Sequence, residues 1–438
     1  MRTAIAIAVA VAGLSAGCGR TLNPAYCATY PNDPDCQNAG LTAIDAPRPC
    51  GGDSDCSADP SRPVCDSTLS PPRCVPCVVG DQAQCTTSAQ VCGNDDLCHA
   101  CLVDGNVNCT PGATCVNGNT CVAPQDIAFA APTAAPGQLC TMDDPCTLSE
   151  ALQKVATSSI QTIQLVSSSA PYSDGPYTIS GSTTVTITPA PGLPGVPAIS
   201  SNTGPIFSIS TSGKVEIDSV VITGSNDDGV KCRSGSLVLS QDEISSQHKY
   251  GVDSSGCTID VDRSRIHGND TGGLYFNDSN IDVYDNFVYD NGTDNTQHGA
   301  VDVEGQTNGK LQFNTISYND AKQAESKGQQ DGIGGLNCQN IGQVDARSSI
   351  ISGNTGTQYL YIKVLGVSNC DLSPTYTSDD DAIHFVMSDS PYDLHLTSRT
   401  PNQTIVDNPS ACTGDVTIDI DGEQRPKGPY CDLGADEY

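Results

Sequence analysis

The sequence predicts an all-β chain: a parallel β-solenoid preceded by a small, disulfide-rich N-terminal region. Three observations predict it. Apolar residues recur at Ile222, Ile244, Ile266, Val288, Ile316 and Ile351, at intervals of 22 residues three times and then 28 and 35. The chain of 438 residues holds 23 cysteines, most of them before residue 122. Its hydrophobic content of 37% allows a core, while the absence of tryptophan argues against a large aromatic platform. The 51 acidic and 20 basic residues give a charge of −31, which excludes a phosphate-backbone binder, because that affinity rests on Lys and Arg neutralising phosphates.

The chain opens with Arg2, an apolar run from Ala4 to Leu14 and small residues up to Gly17. Residues 1–17 are expected to be a signal peptide, since a spanning helix needs about 20 apolar residues. The stretch Leu14-Ser15-Ala16-Gly17-Cys18 resembles the lipobox of bacterial lipoproteins, with Ser15 where the commonest form has Leu. That resemblance implies lipid attachment at Cys18 and an exported protein held to a membrane by lipid. Gly19 in place of Asp then implies the bacterial outer membrane or cell surface. Without Cys18 there are 22 cysteines, an even number, as full pairing in an oxidising compartment requires.

Residues 18–49 read as the anchor and a flexible stalk rich in Pro, Asn and Asp. Residues 50–121 hold three four-cysteine units: Cys50, Cys56, Cys65, Cys74; Cys77, Cys85, Cys92, Cys98; and Cys101, Cys109, Cys115, Cys121. Units this short cannot build a core, and covalent links replace it. The CxxC spacings at Cys74/Cys77 and Cys98/Cys101 admit a redox or zinc role, but export favours disulfides. The region resembles the cysteine-rich repeats of exported bacterial lipoproteins, which implies a spacer or a protein-binding module. Residues 122–139 read as a Pro/Ala linker. Proximity in sequence suggests four further disulfides, Cys140/Cys146, Cys232/Cys257, Cys338/Cys370 and Cys412/Cys431.

The solenoid is expected over 140–390. Thr147-Leu148-Ser149-Glu150 is a capping-box pattern opening a helix from Ser149 to about Thr157. Inward pairs precede each anchor: Val215/Ile217, Leu237/Leu239, Ile259/Val261, Ile281/Val283, Leu311/Phe313 after deletion of two residues, and Val344/Ala346. Three residues after the anchors come Ser225, Gln247, Asn269, Asn291, Asn319 and Asn354, turn residues that tolerate left-handed backbone and can hydrogen-bond along the stack. A glycine then opens the next strand: Gly229, Gly251, Gly273, Gly299 and Gly332. Stacking such units buries the inward residues of every coil together.

These residues, with Cys146–Leu152 ahead and Leu394-His395-Leu396 behind, lead to the ending Asp419-Ile420-Asp421-Gly422-Glu423-Gln424-Arg425-Pro426 and Cys431–Tyr438. It resembles the C-terminal signature of bacterial surface proteins of the choice-of-anchor Q type, with residues 391–438 as signature and cap. The resemblance implies a right-handed, pectin-lyase-like β-helix. Most members of that family have no established activity, so fold alone supplies no function.

The same architecture carries polysaccharide-cleaving enzymes. The motif set of polygalacturonases fails here: Asp227-Asp228 falls at a turn, Gln297-His298-Gly299 is a fragment, and Arg-Ile-Lys is missing. A lyase needs carboxylates holding Ca²⁺ and a basic residue to take a proton. Strand alternation turns Asp260, Asp262 and Asp282 outward as ligand or calcium-binding candidates, with Arg263 and Arg265 nearby as base or counter-ion. A second outward row offers Lys231, Arg233, Asp253, Tyr275, Asp302 and Glu304, in which Asp253 and Asp302 stand about 10 Å apart, near the inverting-glycosidase spacing. His248, His267 and His298 are expected at surface turns without metal-ligand spacing. The sequence therefore points to a monomeric surface lipoprotein whose β-helix binds a polysaccharide or a surface protein without catalysis. A polysaccharide lyase or glycoside hydrolase is the alternative, Ca²⁺ the one cofactor to consider, and nucleic acid no partner.

Overall fold

The computed structural model describes short stretches between residues 50 and 119, residues 120–321 apart from 294, and most of 332–438. Cys18, the signal segment and the stalk lie outside the described residues.

In the cysteine-rich region each unit is built on an antiparallel hairpin. The paired strands are Val64–Asp66 with Arg73–Val75, Val91–Cys92 with Cys98–His99, and Thr114–Val116 with Thr120–Val122. The third and fourth cysteines of each unit face each other in register yet bond elsewhere. Cys50–Cys65 and Cys56–Cys74 join first to third and second to fourth, Cys101–Cys115 and Cys109–Cys121 repeat that order, and Cys77–Cys92 joins first to third. Cys74 and Cys77 are thus in different disulfides, so that CxxC spacing is a junction between units and neither a redox nor a zinc motif.

Beyond it the chain winds through parallel strands on three faces. On the first face stack Tyr177–Gly181, the first parts of Phe207–Asp218 and Val230–Ser240, then Tyr250–Ser255, Gly272–Asn277, Val301–Glu304 and Leu336–Cys338. The second face runs from Ile127–Ala130 through Thr162–Leu165, Val185–Pro189, Cys257–Asp262, Asn280–Tyr284 and Asn308–Gln312 to Val344–Asp345 and Cys370–Asp371. The third face runs from Ala198–Ile199 to Tyr376–Ser378 and carries the anchors, with Ile222, Ile244, Ile266, Val288, Ile316 and Ile351 in direct register. These anchors are fully buried, and burying one such side chain is worth about 1.5–3 kcal/mol. Cys232–Cys257 and Cys338–Cys370 tie coil to coil, and Cys140–Cys146 and Cys412–Cys431 close short local loops.

The two corners flanking the third face use one device. A left-handed residue is followed by a polar side chain that accepts the backbone N–H of the preceding coil. At one corner Ser246, Gly268, Asp290, Tyr318 and Gly353 have positive φ. The next residue continues the ladder: the Gln247 N–H donates to Asn269 Oδ1, Asn269 to Asn291, Asn291 to Asn319 and Asn319 to Asn354. The left-handed position is therefore the residue before each expected turn Asn, whose own side chain is committed to the ladder. At the other corner Gln241, Arg263, Asp285, Phe313 and Ser348 are left-handed, and Asp242, Ser264, Asn286, Asn314 and Ser349 form a second ladder. Burial of these amides in the stack makes their pairing obligatory.

Two registers and one segment differ from expectation. Leu311 stacks on Val283, and Gly309 takes the place opposite Ile281, so Phe313 falls at the left-handed corner and not inside. The glycine column runs Gly229, Gly251, Gly273 and then Ala300 and Gly335. A Cβ at Gly251 would meet the Gly273 carbonyl at 2.8 Å, which is why glycine dominates there. The stretch expected as a linker contributes Ile127–Ala130, a fully buried strand covered by the helix Leu148–Thr157, whose capping box joins Thr147 and Glu150.

The C-terminal stretch is a lateral cover and not an end cap. Its Phe385, Leu394, Leu396, Ile405, Ile420 and Leu433 pack on Phe287, Phe313 and Ile350, the outer side of the third-face coils. Arg425 locks it down. Fully buried, its guanidinium donates to Asp285 at 2.9 Å, Glu437 at 2.8 Å and the Gly434 carbonyl, and lies over the Phe313 ring. The C-terminal signature is thus a docking clamp read by two left-handed corner residues, Asp285 and Phe313.

Candidate functional site

On the second face two outward columns lie side by side. The first is Glu216, Val238, Asp260, Asp282, Lys310, Asp345 and Asp371, and the second is Asp218, Ser240, Asp262, Tyr284 and Gln312. Asp260 and Asp282 are direct neighbours across strands spaced about 4.8 Å apart. Burial, and then the charges of Asp262 and Asp282, push the Asp260 carboxyl up to about 7, and its Oδ1 is buried with no hydrogen-bond partner. Burial likewise raises Asp218 to about 6.

Asp262 stands in the outward column as expected but is not open to solvent. It is 6% exposed, accepts from Arg263 Nε at 2.8 Å and from Ser240 Oγ at 3.1 Å, and so is already committed. Arg263, at its left-handed corner, neutralises its own neighbour and does not reach out as a base. Arg265 lies on the third face, exposed, with Asp421 3.9 Å away, and is not beside Asp260. Asp260 and Asp282 fit one side of a Ca²⁺ site, since two adjacent carboxylates, one of them with an unpartnered oxygen, suit a hard cation. Among the described residues no third carboxylate closes on them, and Ca²⁺ would complete its shell from ligand or water.

Beside these columns opens a cleft of about 250 Å³, lined by Asp262, Arg263, Asp282, Tyr284, Lys310 and Gln312, with the C-terminal residues Val416, Thr417 and Ile418 as its far wall. It offers a tyrosine ring, acceptors and cations within one concavity.

The first face carries the other row, and it too is buried more deeply than expected. Asp253 is 7% exposed and is held by Arg233 through both oxygens, at 2.9 and 2.5 Å, and by Lys231 at 3.1 Å. Burial alone would raise its carboxyl, but these cations outweigh burial and hold it below the ordinary value. Lys231 also binds the buried Asp228 at 2.8 Å. Tyr275 stands in register between Asp253 and Asp302, stacks on Tyr250 with centroids 5.2 Å apart, and donates to Glu304 at 3.1 Å. Asp302 is 2% exposed and bonded to His298 Nδ1 at 2.5 Å and Asn337 Nδ2 at 2.6 Å. Asp253 and Asp302 are therefore each engaged by different partners with a tyrosine between them, which is not the open pair that an inverting glycosidase presents. His298 is buried and not a surface turn residue, whereas His248 is exposed.

Tyr284, Lys310, His298 and Asn337 were not legible as site residues without the register. The signal was present: Tyr284 follows Asp262 by 22, Lys310 follows Asp282 by 28, and Asn337 follows Asp302 by 35, the three coil lengths themselves.

Residues 205–376 match the family model described as right handed beta helix region. These coils are a right-handed parallel β-helix. The structure described as "Crystal structure of pectate lyase Pel9A" is similar at 13% identity and a TM-score of 0.44, covering 71% of this chain and 96% of that chain. No curated protein matches the chain.

Proposed function

We propose that the protein is an exported lipoprotein of the choice-of-anchor Q type, held at the bacterial surface by a lipid on Cys18, whose β-helix binds a polysaccharide in the second-face cleft without catalysis. The cleft carries this reading: Tyr284 supplies a ring face, and Asp282, Lys310 and Gln312 supply polar groups at the strand spacing, an arrangement suited to a hydroxyl-rich chain. The engaged state of Arg263 and of both first-face aspartates favours binding over proton transfer. Titration of the protein with a polysaccharide panel should find a ligand, and Tyr284→Ala or Lys310→Ala should weaken it at least tenfold. Unchanged affinity in both variants would remove the cleft from the reading. Cys18→Ser should move the protein from the membrane to the soluble exported fraction, and unchanged partitioning would defeat the anchor.

A second reading, a polysaccharide lyase or glycosidase, is favoured by Asp260, whose proton affinity near neutrality suits a general base. Reducing ends or absorbance at 235 nm released by wild type and abolished in Asp260→Asn would establish it over the first.

A further inference from the structure

We propose that the first face holds a second, separate site: a divalent transition-metal site formed by His298, Asp302, Glu304 and Asn337. One ligand atom from each of His298, Asp302 and Glu304 lies within 4.8 Å of the others. The residues come from two neighbouring coils, with Asp302 and Asn337 in direct register and His298 at the entry to the strand Val301–Glu304.

The hydrogen bonds say which atoms are available. The Asn337 amide nitrogen, at 3.3 Å, faces His298 Nε2, so Nε2 presents its lone pair and the Nδ1–H donates to Asp302 Oδ2. A carboxylate on one imidazole nitrogen with a lone pair on the other is the arrangement that fixes a metal-binding histidine. Asn337 is 0% exposed, and its Oδ1 has no hydrogen-bond partner, an expensive omission for a buried amide. Rotating that amide by half a turn places Oδ1 where Nδ2 now stands, toward His298 Nε2 and Asp302 Oδ1. Two oxygens that close repel unless a cation lies between them. A bound ion would therefore ligate the rotated Oδ1 and the Nε2 lone pair together, in place of the two hydrogen bonds that Nδ2 makes without it.

Charge leads to the same place. Asp302 and Glu304 carry two negative charges, and among the described residues no Lys or Arg forms an ion pair with either; the nearby Lys231 and Arg233 are spent on Asp228 and Asp253. A divalent ion balances them. The imidazole donor selects a borderline ion such as Zn²⁺ over the harder Mn²⁺ and Ca²⁺, which prefer oxygen ligands. Glu304 is half-buried and accepts from Tyr275, which leaves an approach from solvent at that side.

The test is calorimetric titration of the chelator-treated, full-length protein with Zn²⁺, Mn²⁺ and Ca²⁺ separately. One Zn²⁺ should bind per chain, with Mn²⁺ and Ca²⁺ each at least tenfold weaker. Glu304→Gln should weaken binding at least tenfold and His298→Asn at least a hundredfold, while His248→Ala should change nothing. His298 is buried and its variant can lose the local fold, so Glu304→Gln carries the test: its side chain is only partly buried and Gln still accepts from Tyr275. In wild type Zn²⁺ should also raise the melting temperature, and this rise should shrink in Glu304→Gln. Absence of saturable binding to wild type, or Glu304→Gln protein that binds as tightly as wild type, overturns the site.

Discussion

The cysteine-rich region and the β-helix have nearly the same period and opposite means of holding together. Units of the first start 27 and 24 residues apart, and coils of the second repeat at 22. Each unit of the first spans one small hairpin, and among the described residues the first and third units carry crossed disulfides; the partners of the described bonds lie 12 to 18 residues apart in sequence. Each coil of the second hands its apolar and amide side chains to the next coil. Similar length therefore says nothing about mechanism; what decides is whether the repeat offers its neighbour a matching row. The β-helix has such rows, in the anchor column and the two corner ladders, and needs disulfides only as local ties.

Reduction should separate the two regions most sharply. Each crossed disulfide closes a loop for which chain entropy predicts about 3 kcal/mol. Reducing agent should therefore abolish hydrogen-exchange protection in 50–121 while Ile222, Ile266 and Ile316 and their neighbours stay protected. Equal loss in both regions would mean that the coils, too, depend on their cross-links.

Within the β-helix the sharpest break should be Arg425→Ala. It strands Asp285 and Glu437 in a dry site, which typically costs about 3–5 kcal/mol. The C-terminal cover should detach first, seen as rapid exchange in 405–438 while the inward anchors hold. Loss of exchange protection throughout the β-helix would show that cover and coils fold as one unit.

The smallest effect concerns the acidic columns and has a sign that distinguishes burial from pairing. Asp260 releases its proton near pH 3.9 when unfolded and near 7 when folded, so between those values the folded chain binds the extra proton. Its contribution is most favourable below about pH 4 and declines as pH rises through 7. Asp260→Asn should flatten that decline and be more stable than wild type at pH 8, on the order of 1–2 kcal/mol after discounting for solvent screening. Thermal melts from pH 4 to pH 8 check it, and a wild type that instead gains stability with rising pH would show Asp260 to be paired.

The fold was legible because a solenoid writes its register into sequence spacing. Ile222 to Ile351 gave the third face, and the Asn row gave one ladder. The second ladder was hidden because Asp, Ser and Asn alternate along it, and only their fixed place two residues before each anchor unites them. Burial of the candidate acids was not legible at all. Alternation sets the side to which Asp253 and Asp262 point, but not that Arg233 and Arg263 fold over them or that the distant Val416–Ile418 stretch walls the cleft. Such contacts are long-range, and no local pattern announces them.

The corner between the third and first faces carries one more consequence, for how such a chain can diversify. From anchor to the next first-face strand the path takes eight residues in three coils: Ile222 to Val230, Ile244 to Val252 and Ile266 to Leu274. It then takes 13 from Val288 to Val301 and 20 from Ile316 to Leu336. Extra length enters almost wholly at this corner, because lengthening a loop between fixed strands costs little entropy, about 0.6 kcal/mol per doubling. His298 arrives within the first of these enlargements. A foreign segment grafted between Asn291 and Val301, or between Asn319 and Leu336, should leave every ladder in place, so the β-helix can serve as a frame that accepts new chemistry at one edge without refolding the rest.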